Sequence, residues 1–173
     1  MSSRRLLVLS LLVSCTFLLA VSASAGPPKP TPSSSKGASK KASSTGVVLK
    51  KSAHDVRTTA DRLVQVLQKK GMTVFTRIDH AQGAKKAGMT LRPTELVVFG
   101  NPKVGTPLMK CQQLVALDLP QKALIYQDAD GDVYLAYNDP QHLAQRHDVK
   151  GCEAVLNKVA GALHKFSTAA TSK

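Results

Sequence analysis

Residues 26 to 45, GPPKPTPSSSKGASKKASST, constrain the chain most, because sixteen of these twenty residues are Pro, Ser, Lys or Gly and none can supply a core. Four prolines between Pro27 and Pro32 favour an extended start, and the Ser/Lys/Ala stretch behind them reads as a flexible linker. Whatever folds must do so in residues 46 to 173, which is enough for one domain.

The segment before the linker reads as an address. Arg4 and Arg5 precede an apolar run from Leu6 to Val21, and Ala23-Ser24-Ala25 places small residues where a signal peptidase reads them. We therefore expect residues 1 to 25 to be a secretory signal peptide cleaved after Ala25, with export to the bacterial periplasm or outside the cell. A retained membrane tether is the alternative, although sixteen apolar residues fall short of the roughly 20 that a span needs. A lipoprotein reading of Leu12-Val13-Ser14-Cys15 is weaker still, since Thr16 to Val21 stays hydrophobic where a mature lipoprotein turns polar. Cleavage removes Cys15 and leaves Cys111 and Cys152, between which an oxidising compartment permits a disulfide without requiring one.

A formal net charge of +13 invites a nucleic-acid reading until it is divided along the chain: +2 lies in residues 1 to 25, +4 in the linker and +7 in the remainder. Four Phe and three Tyr are not interleaved with Lys or Arg as a stacking platform requires, so specific nucleic-acid binding is not expected. The linker's Lys29, Lys36, Lys40 and Lys41 have no acidic neighbour and suit either a solvated spacer or contact with an anionic envelope surface.

Beyond the linker, hydrophobic periodicity predicts a short strand from Gly46 and then a helix with Ser52 as N-cap, Asp55 completing a capping box, and Val56, Ala60, Leu63, Val64 and Leu67 along one face. Gly71 stops that helix, Met72 to Ile78 reads as a second strand, and a short polar helical segment follows. Leu96-Val97-Val98-Phe99 has the look of a strand covered on both faces. Gly105 and Pro107 oppose an early helix start, so a helix is expected only from about Thr106 to Gln113. Ala123 to Gln127 and Val133 to Tyr137 are strands joined by the turn residues Asp128 to Asp132. Asp139-Pro140 opens a helix to about Arg146, and Cys152 to Ser167 closes the chain as an amphipathic helix. The economical architecture is α+β: one twisted antiparallel sheet with helices packed on one face.

Several ordered segments resemble the bacterial domain-of-unknown-function 302 family. They are Leu67 to Ala81, Leu91-Arg92-Pro93-Thr94-Glu95, Val98 to Pro102, Gly105 to Met109, Ala116 to Pro120, Lys122-Ala123-Leu124, and Tyr137 to Pro140 with Arg146-His147, within residues 47 to 166. The resemblance implies a β-α-β4-α arrangement like one half of the TATA-binding-protein fold, and no established activity. Fold type alone carries no licence to infer DNA binding.

Chemistry-bearing motifs are sparse. Asp128, Asp130, Asp132 and Asp139 echo a calcium loop, but Val133 stands where the loop needs glycine, and an apolar strand replaces its ligating half. No zinc-type Cys/His spacing, P-loop or nucleophile elbow occurs, so no cofactor, metal or catalytic residue is assigned. His80 and His147 follow a strand end and a helix end, and if the sheet brings them together they offer acid-base or metal chemistry. The Asn101 loop adds backbone amides suited to an anion. The preferred expectation is a non-enzymatic envelope module that binds a small ligand or partner through His80, Asn101, Tyr137, Asp139, Arg146 and His147. A small His80/His147 enzyme and a structural or assembly protein, such as a homodimer, are the alternatives.

Overall fold

The computed structural model describes residues 45–173. The signal-peptide, linker and lysine-tail expectations lie outside those residues, Thr45 excepted. The elements are β1 (Val47–Lys51), α1 (Val56–Lys69), β2 (Thr73–Asp79), α2 (His80–Lys86), β3 (Thr94–Gly100), α3 (Pro102–Cys111), a 3-10 segment (Gln113–Asp118), β4 (Gln121–Gln127), β5 (Val133–Asn138), α4 (Pro140–Arg146) and α5 (Glu153–Thr171). The five strands form one open sheet in the order β1-β5-β4-β3-β2, with every neighbouring pair antiparallel. The fold is α+β.

Strand alternation sends Val97, Phe99, Ala123, Ile125, Leu135 and Tyr137 to the helical side, where they meet Ala60, Leu63 and Leu67 of α1 and Leu156, Leu163 and Phe166 of α5. α1 stops in a Schellman arrangement: the Met72 amide donates to the Leu67 carbonyl at 3.0 Å and the Gly71 amide to Gln68 at 3.0 Å, with Gly71 at φ +69°. Arg62 then ties the two long helices together. Its guanidinium donates to the carbonyls of Ala169, Ala170 and Ser172 at 2.9–3.2 Å, placing a cation on the C-terminus of α5, where the Ala53 amide also donates to Thr171 at 2.9 Å.

The other face of the sheet is open, which corrects the expectation that Leu96 to Phe99 is covered on both sides. β3 alternates, with Glu95, Val97 and Phe99 buried and Leu96 and Val98 only partly so. An apolar row, Leu49, Ala136, Leu124, Leu96 and Ile78, crosses all five strands in register on that open face. Its ends on the two edge strands are 55% and 40% exposed.

Local capping departs from the expected pattern in two places. Asp55, not Ser52, caps α1, its carboxylate accepting from the Thr58 amide at 2.7 Å and the Thr58 hydroxyl at 2.9 Å. Ser52 instead shares a 2.7 Å hydrogen bond with the Thr59 hydroxyl. α3 begins at Pro102 rather than Thr106, because Asn101 accepts from the Lys103 amide at 2.9 Å and Pro102 occupies the first helical position, where it has no amide to lose.

Candidate functional site

A cavity of about 610 Å³ opens where the ends of β3 and α1 meet α3 and α5. Its volume falls in the roughly 300–1,000 Å³ range of small-molecule sites. Phe99, Gly100 and Gln121 form the sheet side, Val104, Leu108 and Met109 come from α3, and Val159, Ala162, Leu163 and Phe166 come from α5. Ala116, Leu119 and Pro120 close the remaining side. Space exists because α5 carries the small Ala162 among its large apolar residues and β3 ends in Gly100, whose absent Cβ would stand 3.2 Å from the Phe75 ring.

Phe75 reaches the cavity through an irregularity. The β2 register shifts between Val74, opposite Phe99, and Thr76, opposite Val98, so Phe75 is the additional residue of a bulge. A bulge re-aims its side chain, and here the ring lines the mouth while staying 54% exposed.

The charged residues lining the cavity are Lys70, Lys103 and Lys158, from the ends of α1, α3 and the middle of α5. No described carboxylate lies within ion-pair distance of any of them. Asn101 holds two of these elements together: its Nδ2 donates to the Gly71 carbonyl at 3.1 Å while its Oδ1 caps α3. On the far side, Cys111 at the end of α3 is disulfide-bonded to Cys152 at the N-cap of α5, with Cα atoms 6.5 Å apart. Two walls of the cavity are thus joined covalently.

The other residues singled out by sequence disperse. Asp79 pairs with Glu95 at the start of β3, whereas Gln121, just after Asp118, pairs with Phe99 near the end of the same strand. His80, next to Asp79, and His147, bonded to Asp118, therefore occupy opposite ends of the sheet and do not converge. His147 is 7% exposed and its Nε2 lies 2.6 Å from an Asp118 oxygen, which Arg146 also approaches at 3.3 Å. Asp139 caps α4 by accepting from the Gln141 amide at 2.9 Å. Tyr137 is buried, and burial is the main cause that raises its hydroxyl pKa, against a smaller lowering by its hydrogen bond to Ser167. Asn101 is the member of the expected set that lines the cavity.

Among the described residues no group of three or more His, Cys, Asp and Glu gathers as a metal site. In the Asp128 to Asp132 turn, one Asp128 oxygen accepts from the Asp130 and Asp132 amides at 3.0 and 2.8 Å. Sequence reasoning missed Asp118, Phe75 and the three lysines. Asp118, Phe75 and Lys70 had a signal only in their places within family-like segments, and Lys103 and Lys158 had none.

The family described as domain of unknown function DUF302 matches residues 48–166, well over half of the chain. A crystal structure of an uncharacterized conserved DUF302 protein from Bacillus stearothermophilus superimposes with a TM-score of 0.67, covering 73% of this chain and 99% of that one at 16% identity, which speaks for the fold alone. The chain is also 49% identical over 104 residues to proteins named fluoride-specific ion channel FluC 1 from Brucella suis biovar 1 (strain 1330) and Brucella abortus biovar 1 (strain 9-941). Those matches take in 60% of this chain but only 41% and 38% of the relatives, so the chain spans less than half of their length. Among the described residues no helix is long and apolar enough to cross a membrane.

Proposed function

This chain belongs to the DUF302 family, and we propose that it is a non-enzymatic small-ligand-binding module of the bacterial envelope whose ligand occupies the cavity beside Asn101. The observation that carries the reading is the cavity itself: ligand-sized, walled by apolar side chains and open at a rim of convergent polar groups. The separation of His80 from His147 favours this reading over an acid-base enzyme built on those two residues. Export is supported by the pattern of residues 1 to 25 and by the Cys111–Cys152 bridge, a bond that persists in oxidising compartments. Native mass spectrometry of the full-length chain purified from its own envelope tests the reading. A retained small molecule supports it, and a bare chain that takes nothing up from an envelope lipid extract overturns it.

A second reading, favoured by the channel-named relatives, is that the domain docks on a partner through the open sheet face. Photo-crosslinking from Leu124 to an envelope protein would support it, and the absence of any adduct would count against it.

A further inference from the structure

We propose that the ligand of the cavity is a single-chain amphiphile with an anionic head, of the fatty-acid type. This rests on the reading of the cavity as a ligand site and goes on to say which chemistry fills it.

Two observations converge. The walls are mainly aliphatic and aromatic; of the uncharged polar side chains among them, Asn101 already uses both ends of its amide on Gly71 and Lys103, which leaves the Gln121 amide and the Thr106 hydroxyl. A ligand inside therefore meets two free polar side chains against a predominantly apolar wall, too few for the many hydroxyls of a sugar or the base and ribose of a nucleoside, and suited to a hydrocarbon chain. The second observation is the sign of the rim. Lys70, Lys103 and Lys158 come from three separate elements, are exposed, and face no described carboxylate. Three like charges around one apolar mouth repel one another until an anion stands among them, so a carboxylate head at the rim gains attraction and relieves repulsion together.

Flexible lysine stems are suited to this arrangement, because they lie along the apolar tail while the ammonium groups stay at the wet end. The same geometry disfavours a cationic amphiphile of identical tail.

Isothermal titration of the full-length chain, below the micelle concentration of the carboxylates and the solubility limit of the alcohol, separates the anionic head from the apolar cavity. Dodecanoate is expected to bind one to one, dodecanol at least tenfold more weakly, and shortening dodecanoate to decanoate to cost up to about fourfold per methylene removed. Lys70→Gln, Lys103→Gln and Lys158→Gln combined should bring dodecanoate down to the affinity of dodecanol and leave dodecanol unchanged. Ala162→Phe, which fills the cavity, should remove binding of both, and Thr106→Trp at the mouth replaces it if that variant does not fold.

Equal binding of dodecanoate and dodecanol overturns the anionic head while leaving the cavity as a ligand site. Binding of neither overturns the amphiphile, and the ligand-site reading then stands or falls on the native mass spectrum. Dodecanoate binding that survives Ala162→Phe or Thr106→Trp overturns the placement in this cavity.

Discussion

The Asn101 side chain donates to the carbonyl of Gly71 across 3.1 Å, and with its other end it caps α3 through the Lys103 amide. One amide thus sets the distance between the end of α1 and the start of α3, and with it the spacing of Lys70 and Lys103 at the mouth of the cavity.

Asn101→Ala should cost about 1–2 kcal/mol of stability, the sum of a lost cap and a lost hydrogen bond. Asn101→Asp keeps the capping oxygen, loses the donor to Gly71 and adds a negative charge among the lysines. It should therefore be nearer wild type in urea denaturation yet weaker in dodecanoate titration.

The Cys111–Cys152 bridge closes a loop with a sequence separation of 41. Loop-closure entropy for that length is worth about 4 kcal/mol at most. Denaturation with and without reductant should show a loss of about 2–4 kcal/mol, and the reduced chain should bind its ligand more weakly because α3 and α5 are no longer tethered. Equal ligand affinity in both redox states would show that the walls are held by packing alone.

The side chains of Asp118 and His147 are 13% and 7% exposed, so removing Asp118 leaves the His147 ring buried without its carboxylate partner. Asp118→Ala should cost about 1–3 kcal/mol. A double-mutant cycle with His147→Ala checks the origin, since the two losses should then be clearly less than additive.

Gly46 has φ +67°, and a Cβ there would overlap the His142 ring. Gly46→Ala should lose more than the roughly 1–2 kcal/mol of the backbone conformation alone. Adding His142→Ala should recover the excess, which thermal unfolding of the four proteins would reveal.

Asp55 titrates below its usual 3.8, chiefly because the Thr58 amide and then the Thr58 hydroxyl donate to the carboxylate. A depressed carboxylate contributes stability above the unfolded value, and that contribution is lost as pH falls through the lower folded value. Asp55→Asn should flatten this acid limb while keeping the cap, by under about 1 kcal/mol because the side chain is exposed to solvent.

Much of this architecture was legible in residue order. Short apolar runs between turn residues marked the strands, the Asp139-Pro140 pair marked the start of α4, and the stripe Leu156, Val159, Leu163 and Phe166 marked the buried face of α5. The α+β sheet agrees with the reading made from those signals, and the family match over residues 48–166 agrees with the resemblance of the ordered segments. Caps were harder to place. Ser52 and Asp55 both have capping chemistry, and only the path of the chain decides which oxygen meets the first free amides.

The candidate site was the least legible part. Asn101 stood out because Asn before Pro is a local signal, while Asp118 and Phe75 acquire their roles through contacts with His147 and Gly100, distant in sequence. Residue order by itself determined most of the elements and the apolar stripes of α1 and α5, because each depends on near neighbours along the chain. Tertiary structure alone decided that His80 and His147 lie at opposite ends of the sheet and that three lysines from three elements meet around one cavity, because such proximity is created by strand order and helix packing and leaves no periodic trace in the sequence.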